Sequence, residues 1–192
     1  MQTLRMLVVE DEEWTRAIIR TRLEKLGHTV VAEASDGAQA VAAAKTYRPD
    51  AIIMDIKMPI MNGIEAATLI MRDDPCAILF LSAFNDETLI EKAAETAAVS
   101  YMMKPFRAAD IAPALEVAIL RFRQEQKQVS EIVRLKDTLE SRKLVDRAKG
   151  ILMDRHSMTE EEAYRRIHYQ ARNQNKKMRE IAQSILTAAE LI

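Results

Sequence analysis

Hydrophobic residues in the first 110 positions cluster in five short and nearly continuous runs, which more polar segments separate. The runs are LRMLVV (4–9), TVVAEA (29–34), AIIMD (51–55), AILFLS (77–82) and VSYMM (99–103). Runs of this length with little polar alternation are typical of strands that helices cover on both faces. The pattern therefore predicts five buried parallel strands.

Helical patterns fill the intervals between these runs. In the first interval, apolar residues recur at helical spacing before Gly27, and these residues are Trp14, Ile18, Ile19, Leu23 and Leu26. Further helices are predicted to begin at Asp36-Gly37, Asn62-Gly63, Asn85-Asp86 and near Asp110. Strands that alternate with helices in this way predict an α/β fold with a five-stranded, doubly wound parallel sheet.

Charged and polar residues stand at the carboxyl ends of the predicted strands, where ligands bind in sheets of this kind. They are Glu10 and Asp11 after the first strand, Asp55 and Ser82 at the ends of the third and fourth, and Lys104 after the fifth. Three carboxylates in one crevice would repel one another unless a cation lies among them. Oxygen ligands of this type suit Mg²⁺.

This set of groups suits the transfer of a phosphoryl group onto a carboxylate. Asp55 is the best-placed nucleophile because it ends the central strand, whereas Glu10 and Asp11 are better placed to hold a metal. Mg²⁺ and Lys104 would stabilise charge on the transferring oxygens. The hydroxyl of Ser82 would donate a hydrogen bond to a bound anion.

Four motifs, VVEDEE, IIMDIKMPIMNG, FLSAF and YMMKPF, follow one another in this order. Together they resemble the receiver domain of two-component response regulators, over residues 4–122. The resemblance implies a flavodoxin-like receiver domain at residues 1–122, with Asp55 as the residue that a sensor histidine kinase phosphorylates.

The resemblance also implies a role for each of the other site residues. Mg²⁺ would be held by Glu10, Asp11, Asp55 and the backbone carbonyl of Lys57. Ser82 and Tyr101 would be switch residues, Lys104 would pair with the phosphate, and the Lys104-Pro105 bond would be cis. Glu10 stands where Asp is commoner, and its longer carboxylate would hold the metal through water.

The segment from Ala114 to Lys149 contains neither Gly nor Pro, which predicts one long helix. Two sets of positions recur on a heptad frame, namely Leu115, Phe122, Val129 and Lys136, and Ala118, Glu125, Ile132 and Leu139. Because six of the eight are apolar, we expect a short, imperfect coiled coil over residues 112–142. It would form a homodimer, either constitutively or on phosphorylation; a helix folded back on its own domain is the alternative.

Residues 131–192 predict a small three-helix domain. The first helix continues through LVDRAKGILM, and the second begins after Thr159 as N-cap, with Glu162 completing a capping box. The expected buried stripe of the second helix is Ala163, Tyr164, Ile167 and Ala171. Gly150 inside the first helix would allow the close approach of another helix or of a ligand backbone.

Charge divides unevenly along a chain whose net charge is −1: residues 1–130 carry −4 and residues 131–192 carry +3. Arg165, His168, Tyr169 and Arg172 share one helix face, and residues 163–179 contain six bases and no acid. Basic and aromatic groups on one face suit nucleic acid, and a merely solvated face is the alternative. Composition does not separate DNA from RNA, although basic residues on both sides of a loop disfavour a major-groove reader.

The segments RAKGILM and SMTEEEAYRRIHYQARNQNKKMREIA resemble the ANTAR domain, the RNA-binding output module of antitermination regulators. The resemblance implies that residues 131–192 bind RNA hairpins in a nascent leader, so that a terminator stem does not form. The residues assigned to RNA contact are Arg147, Lys149, Gly150, Arg165, Tyr169, Arg172 and Lys176. Tyr164 is assigned to the core.

Several classes of protein are disfavoured. The only cysteine, Cys76, rules out an intramolecular disulfide and is predicted to be a buried thiol. The sequence shows no membrane-spanning run and no signal peptide, so we expect a cytoplasmic protein that does not bind membranes. We expect no enzyme activity beyond phosphoryl transfer to the receiver and its dephosphorylation. A phosphorylation-controlled DNA-binding transcription factor and a phosphorylation-dependent interaction protein remain as alternatives.

Overall fold

Five parallel strands form the sheet that the hydrophobic runs predict. Within residues 3–83 and 99–190, which the computed structural model describes, the strands are Arg5–Val9 (β1), Thr29–Ala34 (β2), Ala51–Asp55 (β3), Ala77–Ser82 (β4) and Val99–Met103 (β5). The strand order is β2-β1-β3-β4-β5, and all neighbouring strands are parallel. The direction of winding reverses between β1 and β3, which is where doubly wound folds bind ligands.

Three helices follow strands in the first half of the sheet, and they span Glu13–Lys25 (α1), Gly37–Tyr47 (α2) and Gly63–Asp73 (α3). The starts of α2 and α3 are confirmed by their caps. The side chain of Asp36 accepts a hydrogen bond from the backbone of Gln39, and Asn62 forms a capping box with Glu65. The helix predicted to begin at Asn85-Asp86 lies outside the described residues.

Helices cover both faces of the sheet, so successive strand residues are buried on opposite sides. One face packs under α2 and α3, and its core includes Leu7, Val9, Ile52, Met54, Ile78 and Phe80. The other face packs under α1 and the start of a long helix, Ile111–His156 (α4), and its core includes Met6, Val8, Ile53, Leu79, Ile19 and Leu23. Trp14 of α1 is exposed, because only the side of that helix that faces the sheet is buried.

The long helix is confirmed, and its 46 residues follow a short 3-10 turn at Ala108–Asp110. Its predicted heptad frame is only partly available to a second chain. Leu115 and Ala118 are buried against the sheet, so they cannot also form an intermolecular seam. An exposed apolar row begins further along, and its members are 49–61% exposed: Val129, Ile132, Val133, Leu135 and Leu139.

The chain divides into two compact units, Met1–Lys127 and Gln128–Ile192. In the second unit, the end of α4 packs with helices Glu160–Asn173 (α5) and Met178–Glu190 (α6). Their shared core is Ala148, Leu152, Ala163, Ile167, Ala171, Ile181 and Ala182. The capping box of Thr159 and Glu162 at the start of α5 is confirmed.

The core assignment of Tyr164 is wrong, since this side chain is 47% exposed. Buried residues on α5 recur every four positions, at Ala163, Ile167 and Ala171. Successive residues of a helix are about 100° apart around its axis, so Tyr164 falls at the edge of that stripe rather than in it.

Cys76 is buried as predicted, and desolvation raises the pKa of its thiol to about 12. The thiol is therefore a packed side chain with little thiolate character. Among the described residues, no helix combines the length and the apolar character that a membrane crossing requires.

Candidate functional site: an acidic pocket and a basic helical domain

Three carboxylates meet at the carboxyl ends of β1 and β3. Asp55 ends β3, and Glu10 and Asp11 follow its neighbour β1, so the topology of the sheet brings them together. One oxygen from each carboxylate lies within 4.8 Å of the others. Glu10 and Asp55 are only 1% and 7% exposed, whereas Asp11 faces solvent.

Lys104 joins two of these carboxylates. Its Nζ donates to Asp55 Oδ2 at 2.6 Å, to Glu10 Oε2 at 2.8 Å and to Glu10 Oε1 at 3.1 Å. Its backbone N–H donates to the carbonyl of Ser82 at 2.7 Å, which attaches the end of β5 to the end of β4. The Lys104-Pro105 peptide bond is cis, as the resemblance implies.

The pKa values of these groups reflect their crowding. Burial raises the pKa of Glu10 to about 7; the negative charge of Asp55 adds to this, and the hydrogen bond from Lys104 opposes it. Desolvation lowers the pKa of Lys104, but the hydrogen bonds and charges of Asp55 and Glu10 outweigh it, so the net shift is upward. The ammonium therefore stays protonated, while Glu10 holds a negative charge less readily than an exposed carboxyl group.

Two glycines allow the loop after β3 to lie against Asp55. A Cβ atom at Gly63 would lie 2.2 Å from the backbone carbonyl oxygen of Asp55, and one at Gly37 would lie 2.5 Å from that of Met61. The N–H groups of Gly63 and Gly37 donate to the carbonyls of Ile56 and Met61 at 2.9 and 3.0 Å. Hydrogen bonds from the first residues of α2 and α3 therefore hold the loop in place.

The other predicted receiver residues surround this pocket. The backbone N–H of Lys57 donates to Asp55 Oδ1 at 3.2 Å. Ser82 is buried at the end of β4, and its hydroxyl donates to the carbonyl of Ala83 at 3.2 Å. Tyr101 lies on the neighbouring strand β5, opposite Phe80 of β4, and its side chain is exposed.

The predicted nucleic-acid residues lie in three places in the second unit. Arg147, Lys149 and Gly150 are on α4; Arg165, Tyr169 and Arg172 are on α5; Lys176 follows α5. Some of these basic side chains already form ion pairs with carboxylates. Lys149 Nζ contacts Asp146 at 2.8 Å and Glu160 at 2.7 Å, and Arg165 pairs with Glu161. A Cβ atom at Gly150 would meet nothing within 4 Å among the described residues, so none of the described helices packs closely against it.

Comparisons with known proteins agree with both halves of this geometry. Residues 6–116 match the response regulator receiver domain, and residues 133–186 match the ANTAR domain. The transcriptional regulatory protein PdtaR of Mycobacterium tuberculosis is 40% identical over 182 residues, which cover 95% of this chain and 89% of PdtaR. The chain belongs to the response regulators with an ANTAR output domain.

Further matches concern the receiver domain. The chemotaxis protein CheY of Thermotoga maritima is 37% identical over 112 residues, which cover 58% of this chain and 93% of CheY. The signal receiver domain of a modulated diguanylate cyclase from Desulfovibrio desulfuricans G20 superposes with a TM-score of 0.58 and 28% identity, covering 65% of this chain and 99% of that one. These likenesses agree with the flavodoxin-like fold of the receiver.

Membership in this family fits the chemistry of the two regions. Response regulators are signalling proteins; receiver domains are phosphorylated by histidine kinases and bind Mg²⁺ at an acidic pocket, and ANTAR domains bind RNA. The three carboxylates of this receiver form such a pocket, with the hard oxygen donors that Mg²⁺ prefers. The single ammonium of Lys104 leaves this group of four residues with excess negative charge, which a divalent cation would balance.

The ANTAR domain also contains a cleft that the sequence did not predict, which we name the α4–α6 cleft. Its volume is about 570 Å³, and its lining includes Asp137, Arg142, Asp146, Lys149, Tyr164 and Arg179. Arg179 pairs with Asp137 across the cleft lining. Only Lys149 was among the predicted RNA-contacting residues. The seven-residue spacing from Arg142 to Lys149, which places both on one helix face, was the available signal.

Proposed function

We propose that this response regulator receives a phosphoryl group on Asp55 from a sensor histidine kinase, and that the phosphorylated protein dimerises and binds RNA hairpins to cause transcription antitermination. One observation carries the proposal. Asp55 is buried at a strand end in contact with Lys104 and close to Glu10 and Asp11, in a chain that also has an ANTAR domain.

Each residue of the acidic pocket has a role in the transfer. A carboxylate oxygen of Asp55 attacks the phosphorus atom of a phosphohistidine, and the P–N bond breaks as the P–O bond forms. Lys104 moves its hydrogen bonds from the carboxylates to the phosphoryl oxygens. Glu10, Asp11, Asp55 and the backbone carbonyl of Lys57 would hold Mg²⁺, which neutralises charge on those oxygens when bound.

Ser82 and Tyr101 transmit the change. The hydroxyl of Ser82 exchanges the carbonyl of Ala83 for a phosphoryl oxygen, a stronger acceptor because it is charged. The exposed ring of Tyr101, on the neighbouring strand, then turns inward into the space that Ser82 leaves. Such a change at the end of the sheet alters the surface of the receiver that a partner meets.

Dimerisation uses the exposed apolar row of α4, from Val129 to Leu139. Five large apolar side chains on 11 residues of one helix are an unusual exposure for a monomer. A short seam interrupted by Lys136 is weak, so its formation is controllable. Two linked ANTAR domains would then engage two hairpins together, with affinity raised by effective concentration.

RNA binding is supported by the exposed face of α5. Arg165, Tyr169 and Arg172 are all exposed on that helix, and no acidic residue follows Glu162 until Glu180. Proteins that recognise RNA by sequence stack aromatic rings on unpaired nucleobases of loops, and their basic side chains such as Arg contact the RNA backbone. A dimer on two hairpins would keep a terminator stem from forming.

Crosslinking in cells, followed by sequencing of the bound nucleic acid, tests the proposal. Wild type is compared with Asp55→Asn and with Asp73→Asn, a control that removes an exposed carboxylate at the end of α3. We expect leaders with tandem hairpins before terminators from wild type and the control, and their loss from Asp55→Asn. Recovery of duplex promoter DNA would favour a DNA-binding transcription factor. Recovery of neither would favour an interaction protein.

A further inference from the structure

We propose that the α4–α6 cleft of the ANTAR domain binds one unpaired nucleobase of an RNA loop, and that it selects bases with an amino group over uracil. This inference rests on the proposed RNA-binding function, and it specifies which nucleobases the ANTAR domain recognises. In this arrangement, the exposed basic side chains of α5 contact the phosphate backbone, and the cleft recognises one nucleobase.

The two carboxylates of the cleft disfavour phosphate as its occupant. Asp137 and Asp146 line it together with four basic residues, Arg142, Lys149, Lys177 and Arg179. A phosphate group entering the cleft would meet two carboxylates and would have to compete with them for Lys149 and Arg179. Lys149 Nζ is 2.8 Å from Asp146, and Arg179 pairs with Asp137.

The same ion pairs make the carboxylates well-placed hydrogen-bond acceptors. An ionised carboxylate has about four lone-pair sites, so each ion pair leaves acceptor capacity unused. Asp146 remains 67% exposed while its partner Lys149 is held at its other side by Glu160, at 2.7 Å. The cleft therefore presents carboxylate acceptors beside cationic donors, which matches the mixed edge of a base better than it matches a uniform anion.

An aromatic ring at the cleft provides the platform that a base needs. Tyr164 is 47% exposed, and its ring lies nearly parallel to that of His168, with 6.3 Å between centroids and 15° between planes. A large aromatic side chain is left partly in water beside a cleft of about 570 Å³, which is within the size range of small-molecule sites. Stacking of a base on Tyr164 would cover it.

The selectivity follows from the chemistry of base edges. Adenine, cytosine and guanine each carry an amino group that donates to a carboxylate, and carboxylates are recognised partners of the cytosine amino group. Uracil has carbonyl oxygens in the corresponding positions, and these would face Asp146 without a proton between them. A base with an amino group is therefore expected to bind more tightly than uracil.

Binding of matched RNAs tests this inference. The probes are tandem hairpins with identical stems, whose loops have equal length and contain only A, only C or only U. Full-length protein, phosphorylated with acetyl phosphate, is titrated and followed by fluorescence anisotropy. We expect the A or the C loops to bind about tenfold more tightly than the U loops, as one good hydrogen-bonded base contact gives.

Variants of Asp146 distinguish base reading from net charge. Asp146→Asn should bind the U loops as well as the A or C loops, since an amide also donates to uracil, and its overall affinity should not fall because a negative charge is lost. Asp146→Glu should keep the preference. Asp154→Asn makes an equal charge change on the same helix, outside the cleft lining. It should raise the affinity for all three probes by the same factor, which measures the effect of charge alone.

Variants of Tyr164 test the platform. Tyr164→Phe keeps the ring and should retain both affinity and loop preference, whereas Tyr164→Ala should weaken binding of the preferred loop about tenfold and bring it close to the U loop. Circular dichroism is the control for folding. We expect each variant to fold, because the side chains of Tyr164 and Asp146 are exposed.

The possible failures are distinguishable. If wild type bound none of the hairpins, the proposed RNA-binding function itself would be wrong. If wild type bound all three loops equally, or if Asp146→Asn shifted all three in proportion as Asp154→Asn does, RNA binding would stand and the base-reading cleft would be excluded.

Discussion

The receiver and the ANTAR domain place their charged residues in opposite ways. In the receiver, Lys104 contacts carboxylates that are 94 and 49 residues away in sequence, and Glu10 and Asp55 are buried. In the ANTAR domain, Arg165 and Glu161 are four residues apart on one helix, and both side chains are about three-quarters exposed, at 73% and 75%.

This difference determines what each residue contributes. A buried charge depends on its partner, because its desolvation is offset only while the pair is intact. An exposed pair contributes little to stability, because water and salt screen it. Functional residues of the receiver should therefore be coupled to its folding, whereas those of the ANTAR domain should be replaceable without unfolding it.

The largest effect on stability should come from Lys104→Met. This change leaves Asp55 and Glu10 buried near each other without a cation, and removal of one partner from a buried pair destabilises by about 4 kcal/mol. Urea unfolding at pH 8 without Mg²⁺ measures the loss. Arg165→Ala removes one partner of an exposed pair and should change stability by no more than about 0.5 kcal/mol. Equal losses in the two variants would contradict the contrast between the domains.

A glycine substitution in each domain gives a second comparison. In Gly63→Ala the new methyl group would lie 2.2 Å from a backbone oxygen of Asp55, so the loop must shift and the receiver should lose about 3 kcal/mol. Gly150→Ala places a methyl group in open space on a helix and should stabilise the ANTAR domain by about 1 kcal/mol.

The only cysteine makes the receiver measurement specific. Cys76 is buried in the receiver core, so its rate of alkylation in native buffer reports opening of that domain. Gly63→Ala should accelerate alkylation, and Gly150→Ala should leave it unchanged. Destabilisation by Gly150→Ala would mean that another surface approaches the glycine, as a partner helix or ligand would.

The pH dependence of the receiver should follow Glu10. Its pKa is raised from 4.5 to about 7 in the folded state, so the folded protein binds the extra proton. The stability that this provides is present below pH 4.5 and is lost as the pH rises through 7. Without Mg²⁺, the receiver should therefore lose about 2 kcal/mol between pH 5 and pH 8 from this group.

One variant and one comparison with the ANTAR domain check this origin and its sign. Glu10→Gln should remove that part of the pH dependence in urea unfolding curves. Glu162 of the ANTAR domain behaves in the opposite sense, because hydrogen bonds from Thr159 lower the pKa of its carboxyl group, so its contribution is lost as the pH falls. A receiver whose stability rose from pH 5 to pH 8 through Glu10 would contradict the assignment.

The receiver fold and its acidic pocket could be predicted from sequence because topology leaves few alternatives. A strand that is covered on both faces must be apolar throughout, so four of the five predicted runs have the observed strand bounds and the first differs by one residue. Parallel strands bring their carboxyl ends to one edge, so Glu10, Asp55 and Lys104 had to meet there once the strands were known.

The helical second half could be predicted only in outline, because helical periodicity does not say which surface covers an apolar face. The heptad frame of α4 assigned Leu115 to a seam between chains, whereas it packs on the sheet. Tyr164 was assigned to the core from its neighbours, although a rotation of about 100° takes it to the surface. The pairing of Lys149 with Glu160 spans a turn between helices, and no local pattern announces it.

The smallest effect on folding, and a large one on assembly, should come from Val129→Ser on the exposed apolar row of α4. Val129 is 49% exposed, so its loss should change the stability of the monomer by no more than about 0.5 kcal/mol. In the proposed dimer it is buried twice, once from each chain, and the dissociation constant should rise about thirtyfold. Sedimentation of the phosphorylated protein over a range of concentrations measures this.

A matched control lies on the same helix. Val117 is 47% exposed but lies 12 residues before Val129 and outside the row from Val129 to Leu139. Val117→Ser removes the same apolar surface and should leave the dissociation constant unchanged. If the two variants weakened the dimer equally, the seam would extend to the receiver; if neither did, the row would not be the dimer contact. If only Val129→Ser weakened the dimer, the exposed apolar row of α4 would contribute to contact with a second chain and not to the fold of one chain.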